Sequence, residues 1–228
     1  MSEGNTAGSG RKPRLDRARV LSAALELVDE EGLEALTMRR LGQRLGRDPM
    51  SLYRYAENRS ALLDGLTELV LGQLTVPHGM DWQATLRGAA HDMRRLALLH
   101  PNVVPLLMTR PLSTPLGLRP HGTVRPLEQI LALLIDAGFT PAAALHVYRA
   151  FYAFLYGHLL NELQELVANP DESDAVLRLG LYHLPAKEFP RLRALAPVLA
   201  DYDGARELDE GLGILLSGLA AALTATDK

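Results

Sequence analysis

The chain has 228 residues, 47% of them hydrophobic and 22% charged, with 24 basic and 27 acidic side chains, 7 histidines and no cysteine. Such a composition excludes a disordered polymer and describes a globular protein of one or two domains. Without cysteine there are no disulfides, no thiolate nucleophile and no cysteine-ligated zinc, so stability comes from packing and from any partner subunit. The formal net charge of −3 is unevenly spread. Residues 1–60 carry +2 and the remainder −5, and the windows Arg11–Arg19 and Arg39–Arg59 are each locally +4, so the two parts are expected to meet different partners.

Residues 1–14 are small and polar and end in Arg11, Lys12, Pro13 and Arg14, the pattern of a flexible basic arm. Val20, Ala24, Leu27 and Val28 then recur at helical spacing behind Asp16, a good N-cap, and Gly32 supplies the stop. Thr37 caps a short helix carrying Leu41 and Leu45 that closes at Gly46, and Asp48 followed by Pro49 opens another toward Tyr55. A further helix starts near Asn58 or Ser60 and runs toward Leu74. Beyond it, apolar residues fall in helical blocks over Trp82–Leu99, Val124–Ala137, Pro141–Val167 and Gly204–Thr224, with no sustained period-2 alternation. Segments 75–81, 109–123 and 168–204 are broken by Gly and Pro and read as loops or short helices. The expected fold is all-α, organised as an arm (1–14), a three-helix domain (15–60), a connecting helix (61–75) and a larger helical domain (76–228).

Within TMRRLGQRLGRDPMSLYRYA, residues 37–56, neither short helix is long enough to be stable alone in water. If Leu52 faces inward on the second of them, Met50 and Arg54 point away, with Ser51 and Tyr53 on the flanks. An exposed Met-Ser-Tyr-Arg edge suits a helix that enters a DNA major groove, where Arg bonds guanine, an apolar stem touches a thymine methyl, and hydroxyls reach phosphate. The geometry expected is helix-turn-helix. Thr37 at a helix N-terminus, with Arg39, Arg40, Arg47 and Arg59 nearby, would hold phosphates, and Arg11, Lys12 and Arg14 would follow the backbone or enter the minor groove.

The run from Leu15 to Leu66, including LTMRRLGQRLG, SLYRY and NRSALLDGL, resembles the DNA-binding domain of the tetracycline-repressor (TetR) family. The resemblance implies that Asp48–Tyr55 is the recognition helix, with Thr37, Tyr53, Tyr55 and Arg59 on phosphates and Arg39, Met50, Ser51 and Arg54 nearest the bases. Arg47 lies in the turn between. In the second part, DWQATLRGAAHDMRRLALLHPNVVPLLMTRP and LIDAGFTPAAALHVY look like the ligand-binding domain of the tetracycline-class branch, with Thr109-Arg110-Pro111 at its loop beside the drug. That alignment puts Leu106 where the branch has its magnesium-chelating histidine, Ala89 where it has a drug-contacting asparagine, and Met93 where it has a phenylalanine. A metal-chelated tetracycline is therefore not the expected ligand, and neither metal nor cofactor is expected.

These replacements exchange polar anchors for apolar surface. They suggest a cavity for a small hydrophobic effector lined by Met93, Leu106, Met108, Phe151 and Phe154, with Thr109, Arg110, His146, His158 and Asn161 as polar candidates. The helix over 141–167 is apolar nearly all round between Pro141 and Asn161, and Gly211, Leu215, Gly218 and Ala222 make a small-residue face on the last helix. Together with Tyr148, Tyr152 and Leu155 they suggest a homodimer through a four-helix bundle, the arrangement the family uses. Two-fold symmetry then predicts a palindromic double-stranded operator.

The expected protein is a cytoplasmic, ligand-responsive regulator, a repressor released by its effector. A constitutive DNA-binding protein with a filled lower domain, or an activator, is the alternative. The uncharged stretch Gly211–Thr226 is short for a membrane span, and MSEGNTAGSG lacks a signal core. An enzyme is disfavoured. His91 beside Asp92, and the acidic cluster Asp171, Glu172 and Asp174, form no HExxH, GxSxG, P-loop or paired-carboxylate motif.

Overall fold

The structure is a computed structural model describing residues 15–76, 81–113, 116–167 and 180–226. The regular elements among the described residues are all helices, without a strand, and the chain divides into two compact units, one ending at Leu66 and one beginning at Thr67. The division falls inside a continuous helix.

In the first unit, α1 (Arg17–Glu31) starts where the Asp16 carboxylate accepts the Arg19 amide at 2.8 Å, and ends at Gly32, whose φ of +83° lets the chain turn out of the helix. Val20, Ala24, Leu27 and Val28 are buried as their spacing requires. The Thr37 hydroxyl caps α2 (Met38–Leu45) at the Arg40 amide, and Gly46 closes it in the left-handed region at φ +60°. A side chain at Gly42 would stand 2.9 Å from the Arg47 carbonyl oxygen and 3.2 Å from Pro49, so the turn packs directly on α2.

The segment expected to be a recognition helix over Asp48–Tyr55 is shorter and tighter than that. It is a single 3-10 turn, Pro49–Leu52, capped by the Asp48 carboxylate and continued by turn through Tyr55. Asn58 caps α3 (Arg59–Leu71), which ends three residues before the expected Leu74. Leu36, Leu41, Leu52, Leu62 and Leu66 are fully buried and form the core of this unit.

In the second unit Asp81 caps α4 (Trp82–Leu99). The chain continues through a 3-10 turn into α5 (Val104–Ser113), then α6 (His121–Asp136), α7 (Pro141–Val167), two five-residue helices, α8 (Pro190–Ala194) and α9 (Ala196–Ala200), and α10 (Gly204–Thr226). Thus Thr109-Arg110-Pro111, expected in a loop, lies within α5, and α6 begins three residues before the expected Val124. Helix α7 packs on α4, α6 and α10, with Leu86, Met93, Leu96, Ile130, Leu134, Phe151, Leu155, Leu208 and Leu212 buried between them.

One ion pair is enclosed in this core. Arg94 of α4 donates to both Glu162 carboxylate oxygens of α7, at 2.5 to 3.1 Å, and Glu162 is 3% exposed. A buried carboxylate requires such a two-pronged partner, because desolvating it alone costs several kcal/mol. Gly204 at the start of α10 sits against the same carboxylate so closely that a Cβ there would overlap it. No helix among the described residues is long and apolar enough to cross a membrane.

Candidate nucleic-acid interface and cavity

Around the 3-10 turn, Leu52 is fully buried, whereas Met50 is 75% exposed and Arg54 projects outward. The Arg54 guanidinium lies over the Tyr55 ring, 4.8 Å from its centroid, which holds the cation beside the turn without neutralising it. Tyr53 and Arg39 are also exposed. The Ser51 hydroxyl donates back to the Asp48 carbonyl at 2.6 Å.

Two of the residues expected on phosphate are committed within the chain. The Tyr55 hydroxyl donates to the Leu15 carbonyl at 2.6 Å and ties the turn to the start of α1. Arg59 donates to the Leu36 and Leu33 carbonyls at 3.1 and 2.9 Å, with Glu34 at 3.7 Å. Arg59 therefore holds the short 3-10 turn Leu33–Ala35, and its remaining donors define what it can offer outside. Arg11, Lys12 and Arg14 lie outside the described residues.

The local charge is also smaller than the residue count of the 39–59 window suggests. Arg44 donates to Glu30 at 2.5 and 2.7 Å and reaches Glu26 at 3.4 Å, and Arg40 pairs with Glu31. The guanidinium beside Glu30 holds its carboxyl below the usual carboxylate range. Carboxylates of α1 thus neutralise the α2 face turned toward them, while Arg39 and Arg54 remain on the outer edge.

The second unit contains a cavity of about 390 Å³, within the range of small-molecule sites. It is bounded by α5, α6 and α7: Leu107 and Met108; Thr123, Val124, Pro126 and Leu127; Leu145, Tyr148, Arg149, Tyr152 and Tyr156, together with Leu71, Leu116 and Arg119. Of the residues expected to contact an effector, Met108 lines it. Met93, Leu106 and Phe151 are instead packed in the core, 1%, 7% and 1% exposed. Thr109 is exposed with its hydroxyl donating to Pro105, His146 and Asn161 face outward, and the Arg110 side chain lies outside the described residues.

His158 stands 3.6 Å from Glu162 in the ion-pair cluster, and Phe154 stacks on His158 while filling the space above Gly211. Tyr148 and Tyr152, expected on a dimer face, line the cavity, and Leu155 and Gly211 take part in packing within the chain. Of that set, Gly218 is exposed with open space around it, Leu215 is half-buried, and the Ala222 side chain lies outside the described residues. Tyrosines at 148, 152 and 156 are a four-residue repeat on one helical face, the sequence signal that corresponds to this cavity wall.

His91 and Asp92, neighbours in sequence, serve separate partners. His91 meets Asp209 of α10 at 2.8 Å, while Asp92 accepts the Thr75 amide and Arg95. Among the described residues no cluster of three or more His, Asp or Glu could hold a metal ion. The acidic cluster at 171–174 lies outside them.

A helix-turn-helix unit with an outward cationic edge, joined to an all-helical unit enclosing a cavity, defines a one-component transcriptional regulator. Residues 20–66 match the family described as bacterial regulatory proteins, tetR family, and residues 76–223 match the tetracyclin repressor-like C-terminal domain. The chain belongs to the TetR family of DNA-binding transcriptional regulators, which are not enzymes. It is 31% identical to an HTH-type transcriptional regulator of Saccharopolyspora erythraea, covering 93% of this chain and 88% of that one. It is 32% identical to the class D tetracycline repressor of Escherichia coli, covering 93% and 92%. Among solved structures it resembles the TetR family protein ActR of Streptomyces coelicolor in complex with actinorhodin, with a TM-score of 0.76 and 29% identity over 92% of this chain and 99% of that one.

Proposed function

We propose that this regulator is a repressor that binds a palindromic operator as a homodimer and leaves it when a small hydrophobic effector enters the cavity between α5, α6 and α7. The observation that carries the reading is the presence in one chain of an outward Met50/Arg54 edge and an apolar-walled cavity of about 390 Å³. The alternative of a constitutive DNA-binding protein needs a filled second unit, and the cavity weighs against it. That ActR is known with actinorhodin bound supports a small-molecule effector here. The apolar replacements at Ala89, Met93 and Leu106, all buried, argue for one that is not a metal-chelated tetracycline.

In the homodimer, exposed apolar and small residues of α7 and α10 (Leu160, 40% exposed; Ile214, 80% exposed; Gly218) would meet their counterparts. Effector binding would act on DNA through α3, which carries residues of both units, by favouring one spacing of the two reading heads over another. The test is to select duplexes from a random library with the full-length protein, and then to screen lipophilic compounds for release of the selected duplex. Recovery of an inverted repeat, released by at least one cavity-filling compound, is the expected result. Selection of no sequence would overturn the proposal.

A further inference from the structure

Helix α3 leaves the first unit at Leu66 and places Thr67, Glu68, Val70 and Leu71 in the second. There Thr67, Val70 and Leu71 are buried, and Leu71 is part of the cavity wall. Past the end of the helix, the Thr75 amide donates to Asp92 of α4 at 2.7 Å, which fastens the outgoing chain to the second unit. Glu68, on the same stretch, meets α6. A methyl group at Gly122 would stand 2.7 Å from the Glu68 Cγ and 3.1 Å from its Oε1, so α6 admits this side chain because residue 122 has no Cβ.

Gly122 is the second residue of α6, and a carboxylate suits that place. The N-cap of α6 is Pro120, whose side chain accepts no amide, and the first turn of the helix holds no acidic residue. The Thr123 hydroxyl turns back to the Pro120 carbonyl at 2.7 Å. A helix start carries partial positive charge and favours an anion beside it. Glu68 brings from α3 the negative charge that α6 does not supply itself. Close neighbours of both residues line the cavity: Thr123 and Val124 follow Gly122, and Leu71 lies three residues after Glu68. A molecule in the cavity would therefore bear on both sides of this contact.

We propose that the contact between Glu68 and Gly122 is the joint through which the cavity acts on the DNA-binding unit. It holds α3 against the start of α6, and whatever shifts α6 from within the cavity moves α3 with it. Glu68 is then a positioning residue for DNA recognition. The inference rests on the reading of the cavity as the effector site and specifies how occupancy reaches the reading heads. Because the glycine leaves no gap between the two helices, a displacement of one is passed to the other and not absorbed. With Thr75 held by Asp92, a push at Glu68 is felt toward Leu66.

The test uses the full-length protein and the duplex recovered by selection from a random library, with operator affinity and Tm read for every variant. Gly122→Ala should weaken operator binding about tenfold, an ordinary size for coupling between sites. Adding Glu68→Ala, which removes the crowded Cγ, should restore the affinity to within about twofold of the Glu68→Ala protein. A contact that only stabilises the second unit would change Tm and leave operator affinity alone, and that result would overturn the inference.

Leu127→Trp fills the cavity from α6 without any ligand and tests the link to the cavity. It should weaken operator binding about tenfold in the otherwise unchanged protein and by less than about threefold beside Glu68→Ala. Equal losses in both backgrounds would overturn the joint and leave the control of DNA binding by the cavity standing. No loss in either background, with Gly122 and Glu68 still coupled in operator affinity, would sustain the joint and overturn the reading of the cavity. If Gly122→Ala melts below the assay temperature, the Leu127→Trp pair decides, and no difference between its two backgrounds overturns the inference.

Discussion

Met50 and Leu52 are two residues apart on one 3-10 turn and occupy opposite environments, Met50 being 75% exposed and Leu52 wholly enclosed. Leu52→Ala should therefore cost about 2–5 kcal/mol, the range for truncating a buried leucine. Met50→Ala should change stability by no more than about 0.5 kcal/mol. Thermal melts of the two variants, compared with their affinity for the selected duplex, separate the roles: Leu52→Ala lowers Tm, and Met50→Ala weakens DNA binding with Tm held.

Arg59 should behave as a positioning residue as well as a phosphate contact. Its bonds to the Leu33 and Leu36 carbonyls set the connection between α1 and α2, so Arg59→Ala should lower Tm and weaken specific and random duplexes together. Tyr55→Phe removes the bond to Leu15 and is expected to cost about 0.5–1.5 kcal/mol of stability. Denaturant unfolding beside binding to both duplexes checks each.

Gly211 is expected to be required by Phe154. A methyl group at Gly211 would overlap the ring, an overpacking cost of about 1–3 kcal/mol that exceeds the roughly 1 kcal/mol of helix propensity gained over glycine. Gly211→Ala should thus destabilise the protein on its own, yet be neutral or favourable in a Phe154→Ala background. A double-mutant cycle by thermal unfolding measures the difference.

His158 should make stability depend on pH. Burial disfavours its charged form and lowers its pKa below the ordinary 6.5, although Glu162 opposes the shift. The unfolded chain therefore binds the proton more readily than the folded one. The histidine's contribution is complete above about pH 6.5 and is lost as pH falls toward the lowered folded value. Unfolding free energies at a series of pH values should rise with pH through this window. The rise should be shallower in His158→Gln.

Ile214 tests the proposed dimer. At 80% exposure on α10 it contributes little to the fold of one chain, so Ile214→Asp should preserve Tm of the monomer while shifting mass from dimer to monomer in light scattering. Operator affinity should fall with it.

Local signals carried most of the architecture. Asp16, Thr37, Asp48, Asn58 and Asp81 each accept an amide near the start of a helix or turn, and Gly32 and Gly46 end helices at positive φ, because capping chemistry is written in single residues. Leu52 is buried and Met50 and Arg54 are exposed as expected, although the segment is a 3-10 turn and not the α-helix whose angular spacing that expectation used. Non-local pairings were not legible in this way. The partners of Arg40 and Arg44 lie 9 to 18 residues away on α1, and Glu162 finds Arg94 across 68 residues, so charge counts along the chain misjudged the surface. The cavity was placed on Met93 and Phe151 because apolar spacing marks a helix face as covered without saying whether protein or ligand covers it. Residues 109–123 read as loops or short helices, whereas Thr109–Ser113 complete the longer helix α5. Pro105 occupies the first turn, where its missing amide costs nothing.

The central claim, that an outward Arg54 reads DNA, is tested most directly by fluorescence anisotropy of wild-type protein and Arg54→Ala on the selected duplex, its single-base variants and a scrambled duplex. The arginine should contribute about 1–3 kcal/mol at one or two base pairs, so the variant loses discrimination at those positions and keeps its affinity for scrambled DNA. Equal losses of Arg54→Ala on selected and scrambled duplexes would contradict the account.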